Sequence, residues 1–139
     1  MKIQDFTNIV IYDNENRILM QKRCSKAKIY PNYWGLFGGK IEKDESHRQA
    51  IVREIKEELD FSLDNPIFAF ETPYFIEEIA KGNWFVYTYK MNDNEKKILR
   101  LLEGEDWGWH SFSEIEKLKI NDDMREVLKK IENIIKYGK

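Results

Sequence analysis

Cysteine is nearly missing from these 139 residues: Cys24 stands alone, so no internal disulfide can form. Histidine is almost as scarce, with only His47 and His110, which leaves too few ligands for a structural zinc site of the Cys/His kind. Three prolines and seven glycines rule out collagen-like repeats and Pro/Gly-rich disorder. No stretch approaches the ~20 apolar residues of a membrane-spanning helix. The opening MKIQDFTNIV also lacks the apolar run of a secretion signal. A cytoplasmic location is the expectation. A charge excess is missing as well, since 23 Lys and Arg face 25 Asp and Glu for a net of −2. Proteins that live on a phosphate backbone usually carry a basic surplus. A small molecule is therefore expected as partner rather than a long nucleic acid or a membrane.

What is present suffices for one core. Hydrophobic residues make up 42% of the chain and charged residues 35%, which predicts a single solvated domain over residues 1–139. NIVIY (8–12) reads as a strand, DNEN (13–16) as a turn and RILMQKR (17–23) as the returning strand of a hairpin. Residues 24–44 carry Pro31, Asn32, Gly35, Gly38 and Gly39 and no long periodicity. They read as a loop with a short strand near Trp34 to Phe37. Residues 67–76 and 83–91 read as two strands joined by EEIAKGN, and Trp107 to Ser111 as another. A short helix is expected at 112–118. Met124, Val127, Leu128, Ile131, Ile134 and Ile135 recur at steps of three and four, predicting a terminal amphipathic helix that ends near Gly138. The order implies an α+β arrangement with helices packed on a sheet.

The chemistry concentrates in GKIEKDESHRQAIVREIKEELDF (39–61). Ser46 and Gln49 form a capping-box pattern, and Ile51, Ile55 and Leu59 form a core stripe, predicting a helix over 47–59. Glu54, Glu57 and Glu58 then share one face beside that stripe. Like charges at such spacing repel by a few tenths of a kcal/mol even when exposed. The face is therefore either solvated, as most charged helix faces are, or it binds cations. Oxygen-only ligands favour a hard ion, Mg²⁺ or Mn²⁺. The upstream Gly38–Gly39 pair permits close backbone approach, and Arg53 is placed to hold a carboxylate in one rotamer.

The pattern Gly39, Glu45, Arg53, Glu54, Ile55, Glu57 and Glu58 resembles the Nudix box at every one of these spacings. Asp60 stands where that box has Gly, and Phe61 where it usually has an aliphatic residue. ILMQKR followed by WGLFGGKIE is similar to the small MutT-like subgroup, and the likeness covers about residues 5 to 135. It implies an α/β/α sandwich with a mixed sheet between helices, and hydrolysis of a phosphoanhydride in a nucleoside diphosphate linked to another moiety. Its ligands for Mg²⁺ would be Glu54, Glu57, Glu58 and the Gly39 carbonyl, with Glu45 paired to Arg53. The base would be Glu57, Glu58 or Glu103. Arg23, Gly38, Lys40 and Trp34 would meet the substrate. Tyr30, Tyr33 or the Trp107/Trp109 pair could stack a base, and Lys22, Lys26 and Lys28 could add positive potential.

Within that class a (d)NTP pyrophosphohydrolase giving NMP and pyrophosphate is the first expectation. Nucleotide-sugar, ADP-ribose and dinucleoside polyphosphate hydrolases are the alternatives, along with a non-catalytic nucleotide-sensing module. The retained carboxylates argue against that last one.

Overall fold

Alternation along FTNIVIY decides the layering. Ile9 and Ile11 pack with Ile51, Ile55 and Leu59, whereas Val10 between them packs with Met124, Val127, Leu128 and Ile131. All three strand residues are fully buried. Successive strand side chains point to opposite faces, so such a strand needs cover on both sides. Leu19 against Ile18 and Met20 repeats the division.

The computed structural model describes residues 1–102 and 106–138. Its elements are β1 (Lys2–Ile3), β2 (Phe6–Tyr12), β3 (Ile18–Lys22), β4 (Trp34–Gly35), β5 (Phe37–Lys40), α1 (His47–Leu59), β6 (Ile67–Ile76), β7 (Ala80–Lys90), α2 (Asp93–Ile98), β8 (Asp106–His110), α3 (Phe112–Ile115) and α4 (Asp122–Tyr137). A mixed sheet lies between α1 on one face and α4 on the other, the sandwich that the family resemblance implies. No helix among the described residues is long and apolar enough to cross a membrane.

β2 is the organising strand. It runs parallel to β7 from Phe6↔Trp84 to Tyr12↔Lys90. Its other edge is taken by β5, antiparallel, from Phe6↔Lys40 to Ile9↔Phe37. The expected β2–β3 hairpin is thereby reduced to one pair, Tyr12↔Ile18. β3 instead pairs along its whole length with β8. The turn between β2 and β3 is held by Asp13, whose Oδ1 accepts from the backbone of both Glu15 and Arg17 at 2.9 Å.

The turn after β6 is shorter than EEIAKGN suggested, because β7 already begins at Ala80. Gly82 is a strand residue: a Cβ there would stand 2.2 Å from the Gln4 carbonyl oxygen, so the passing chain, not a turn, requires glycine. Asn83 is likewise in the ladder, and its N–H donates to Asp5 Oδ1 at 2.9 Å. β1 and α2 were not anticipated. β1 is two residues long. α2 buries no residue and shows no apolar stripe, although Asn92 and Glu95 form a capping box. α3 ends at Ile115, short of the expected 118.

Candidate active site

α1 spans the expected residues. Ser46 accepts from the Gln49 N–H, and the Gln49 side chain returns to the Ser46 N–H. Burial of Ile51, Ile55 and Leu59 fixes the helix's rotation. That rotation turns Glu54 and Glu58 toward the start of β5. Glu58 is only 5% exposed. Its Oε1 accepts from the Gly38 N–H at 3.0 Å, and its Oε2 accepts from Gln21 Nε2 at 3.1 Å.

Both glycines of β5 are dictated by closeness. Gly38 has φ +142°, and a Cβ there would fall 2.1 Å from the Thr7 carbonyl oxygen. A Cβ on Gly39 would stand 2.6 Å from Glu54 Oε1. The backbone of β5 thus lies directly on the Glu54 carboxylate.

Arg53 ties this arrangement together. Its Nε and Nη2 donate to the two Glu45 oxygens at 2.7 and 2.9 Å, the partner that the family resemblance implies. Nη2 also donates to the Lys40 carbonyl at 3.0 Å. Nη1 meets Glu54 Oε1 at 3.0 Å and Glu57 at 3.4 Å. The hydrogen bond from Arg53 holds the Glu45 carboxyl below its usual range, and Glu45 in turn raises the Arg53 guanidinium. Glu57 is the outermost carboxylate, its side chain half exposed.

Glu54 stands against Gly39, Glu58 against Gly38, and Glu57 reaches the same Arg53 as Glu54; with the Gly39 carbonyl these carboxylates offer oxygen-only donors, which suit a hard divalent ion. The residues fit such an ion, since Gly39 keeps clear a space beside Glu54 that any side chain would fill. Among the described residues no three acidic, His or Cys side chains are already converged on one point. Arg53 draws Glu54 and Glu57 to itself, while Gln21 and Gly38 hold Glu58.

Glu54, Glu58, Gly38 and Gly39 line a half-open cleft of about 470 Å³ together with the aromatic side chains of Phe6, Tyr30, Tyr33, Trp34, Tyr74 and Trp84. Arg23 and Trp34, the expected substrate contacts, are among the residues that line it. Arg23 Nε also donates to the Ile29 carbonyl at 2.9 Å, bracing the loop that carries Tyr30. Lys40 is exposed and lies off the cleft wall, as do Lys22, Lys26 and Lys28. Trp107 and Trp109 pack on the α1 face and are not among the residues that line the cleft, and Lys96 sits 4.3 Å over the Trp109 ring. They are not placed to stack a base there. Glu103 lies outside the described residues. Exposed Cys24 is on the cleft wall, and His110 packs edge-on against Trp34 at 5.2 Å.

Sequence reasoning missed Gln21, Asn8, Asn121 and Asp123, all on the wall. Asn8 accepts from Trp84 Nε1 at 2.6 Å and donates to the Phe37 carbonyl at 3.0 Å. A polar side chain inside an otherwise apolar strand was the signal for both Asn8 and Gln21.

The sequence model of the NUDIX domain matches residues 3–131. An uncharacterised Nudix hydrolase of Listeria innocua is 34% identical over 80 residues, 57% of this chain and 47% of that protein. Its Listeria monocytogenes counterpart is likewise matched over 47% of its length, so the chain spans about half of these curated relatives. The RNA pyrophosphohydrolase of Pelagibacter ubique is 26% identical over 96% of both proteins. The crystal structure of a MutT protein from Methanosarcina mazei superposes with a TM-score of 0.82 at 19% identity, covering 97% of this chain and 96% of that one, a shared fold.

Proposed function

The chain belongs to the NUDIX domain family, and from that premise we propose that it hydrolyses a phosphoanhydride in a nucleoside diphosphate linked to another moiety. The first such substrate is a (d)NTP, giving NMP and pyrophosphate. One observation carries this reading: two carboxylates of α1, Glu54 and Glu58, and the glycine pair of β5 share one cleft with several aromatic side chains, among them Tyr30, Tyr33 and Trp34. That is the lining a polyphosphate attached to a flat base requires, groups that handle charge together with faces that stack.

Glu54, Glu57, Glu58 and the Gly39 carbonyl would hold the divalent ion, for which Mg²⁺ is our choice and Mn²⁺ a substitute. When bound, such an ion neutralises phosphate charge, acidifies a water and aligns it for in-line attack. Arg53 keeps Glu54 and Glu57 from drifting apart, and Glu45 keeps Arg53 charged and oriented. Glu57, the least enclosed of the three, has the most room to turn and take the water's proton. Glu58 is the second candidate base within α1, and Glu103 the third. Arg23 lines the same cleft, where a phosphate oxygen would meet it. Trp34 and Tyr33 supply faces for the base.

The test is product analysis by mass with Mg²⁺ across canonical and oxidised NTPs, ADP-ribose, nucleotide sugars, dinucleoside polyphosphates and a 5′-triphosphorylated oligonucleotide. Cleavage of at least one anhydride is expected. Glu57→Gln is expected to lower kcat by at least about 10²-fold with an unchanged circular dichroism spectrum. Tight nucleotide binding without turnover of any compound would move the protein to the sensing class.

A further inference from the structure

Buried carboxylates need donors, and what kind of donor decides whether the carboxylate stays available to a cation. Glu58 is 5% exposed, and the amide of Gln21 meets one of its oxygens while the Gly38 N–H meets the other. Both of these donors are neutral. Glu54 and Glu57 instead face Arg53, whose charge competes with an incoming cation.

Gln21 reaches Glu58 because of its register. In β3 it pairs with Gly35 on one side and Trp107 on the other. It lies two positions after Leu19, which packs on the α1 face. That parity aims position 21 at the last turn of α1, where Glu58 stands. A lysine here would bring a competing positive charge to Glu58, and a glutamate would repel it. The length and neutrality of glutamine meet both demands.

We infer that Gln21 is a positioning residue, which holds the Glu58 carboxylate aimed at the cation site without neutralising it. The inference rests on the cation-dependent reading above.

The experiment compares wild-type protein with Gln21→Met, which keeps the length and removes the amide. Free Mn²⁺ is followed by electron paramagnetic resonance during titration without nucleotide, and kcat and KM are measured on the substrate found in the panel. Gln21→Met is expected to bind Mn²⁺ about 10-fold more weakly and to lose about 10-fold in kcat, with KM within two-fold. Unchanged Mn²⁺ affinity overturns the inference, even where the variant melts at a lower temperature, because that is a purely structural role. Wild-type protein that neither binds Mn²⁺ nor cleaves any anhydride overturns the underlying reading and this one with it. A wild-type enzyme that does both, beside a variant that matches it, overturns the Gln21 assignment alone. Should Gln21→Met fail to fold, nuclear magnetic resonance of the wild-type protein decides: the Gln21 side-chain amide protons are expected to shift on Mg²⁺ addition, and signals that stay put overturn the inference.

Discussion

At Gly39 a single methyl group would collide with Glu54, so the identity of a residue on one element is dictated by a carboxylate on another. Asp60 shows the opposite situation, a residue tolerated rather than required. It ends α1 in the left-handed region at φ 51°, ψ 41°, with its N–H on the Lys56 carbonyl. A non-glycine residue there bears a conformational cost, and a carboxylate at a helix C-terminus also faces the negative end of the dipole. Its ion pair with Lys56 at 3.0 Å is substantially exposed and offsets little. Asp60→Gly is expected to range from neutral to about 1 kcal/mol more stable in a urea titration. A lowered midpoint would mean that the Lys56 pair outweighs the backbone.

For the elements, propensity and packing divide the work. α1 starts where its capping box starts and turns as its buried stripe dictates. Stability and chemistry should therefore separate along its length. Ser46→Ala removes an N-cap acceptor and is expected to cost about 1 kcal/mol. Its kcat should stay within two-fold of wild type, since Ile51, Ile55 and Leu59 set the orientation of the glutamates. A large loss of turnover at full folding would show that the helix start also governs the site. α2 was hard to read because it buries nothing. Its anchors are polar: Lys96 donates to Asp13 Oδ2 at 2.9 Å, and Tyr89 donates to Glu95. Hydrophobic periodicity carries no trace of a helix held that way.

Across the whole molecule, Asp13 is the clamp between the β2–β3 turn and α2. It is 1% exposed and accepts from Glu15, Arg17 and Lys96. Burial pushes its carboxyl up, but the Lys96, Arg17 and Glu15 donors together outweigh burial, and the group titrates below an ordinary aspartate. A carboxyl depressed by folding contributes stability above its unfolded value, about 4. That contribution disappears as pH falls through the folded value. Asp13→Asn is expected to cost about 2 kcal/mol at pH 7. It should also flatten the loss of stability below about pH 4, measured by urea unfolding at pH 7 and pH 3. An acid limb identical to wild type would remove Asp13 from the explanation of acid sensitivity.

Local patterns and fixed spacing were enough to place α1, α4, the strand β6, and the grouping of Glu54, Glu57 and Glu58 beside a core stripe, because these follow from periodicity and capping within a few turns. The Glu45–Arg53 pair followed from the resemblance to the Nudix box rather than from periodicity. Partner choice was not legible. That β3 ladders with β8 instead of β2, that Trp107 and Trp109 turn to the α1 face, and that Gln21 meets Glu58 across 37 positions all depend on which strand occupies which edge. Pairing between distant segments is decided by competition for the same backbone edges and the same buried area, and only the assembled sheet resolves that competition.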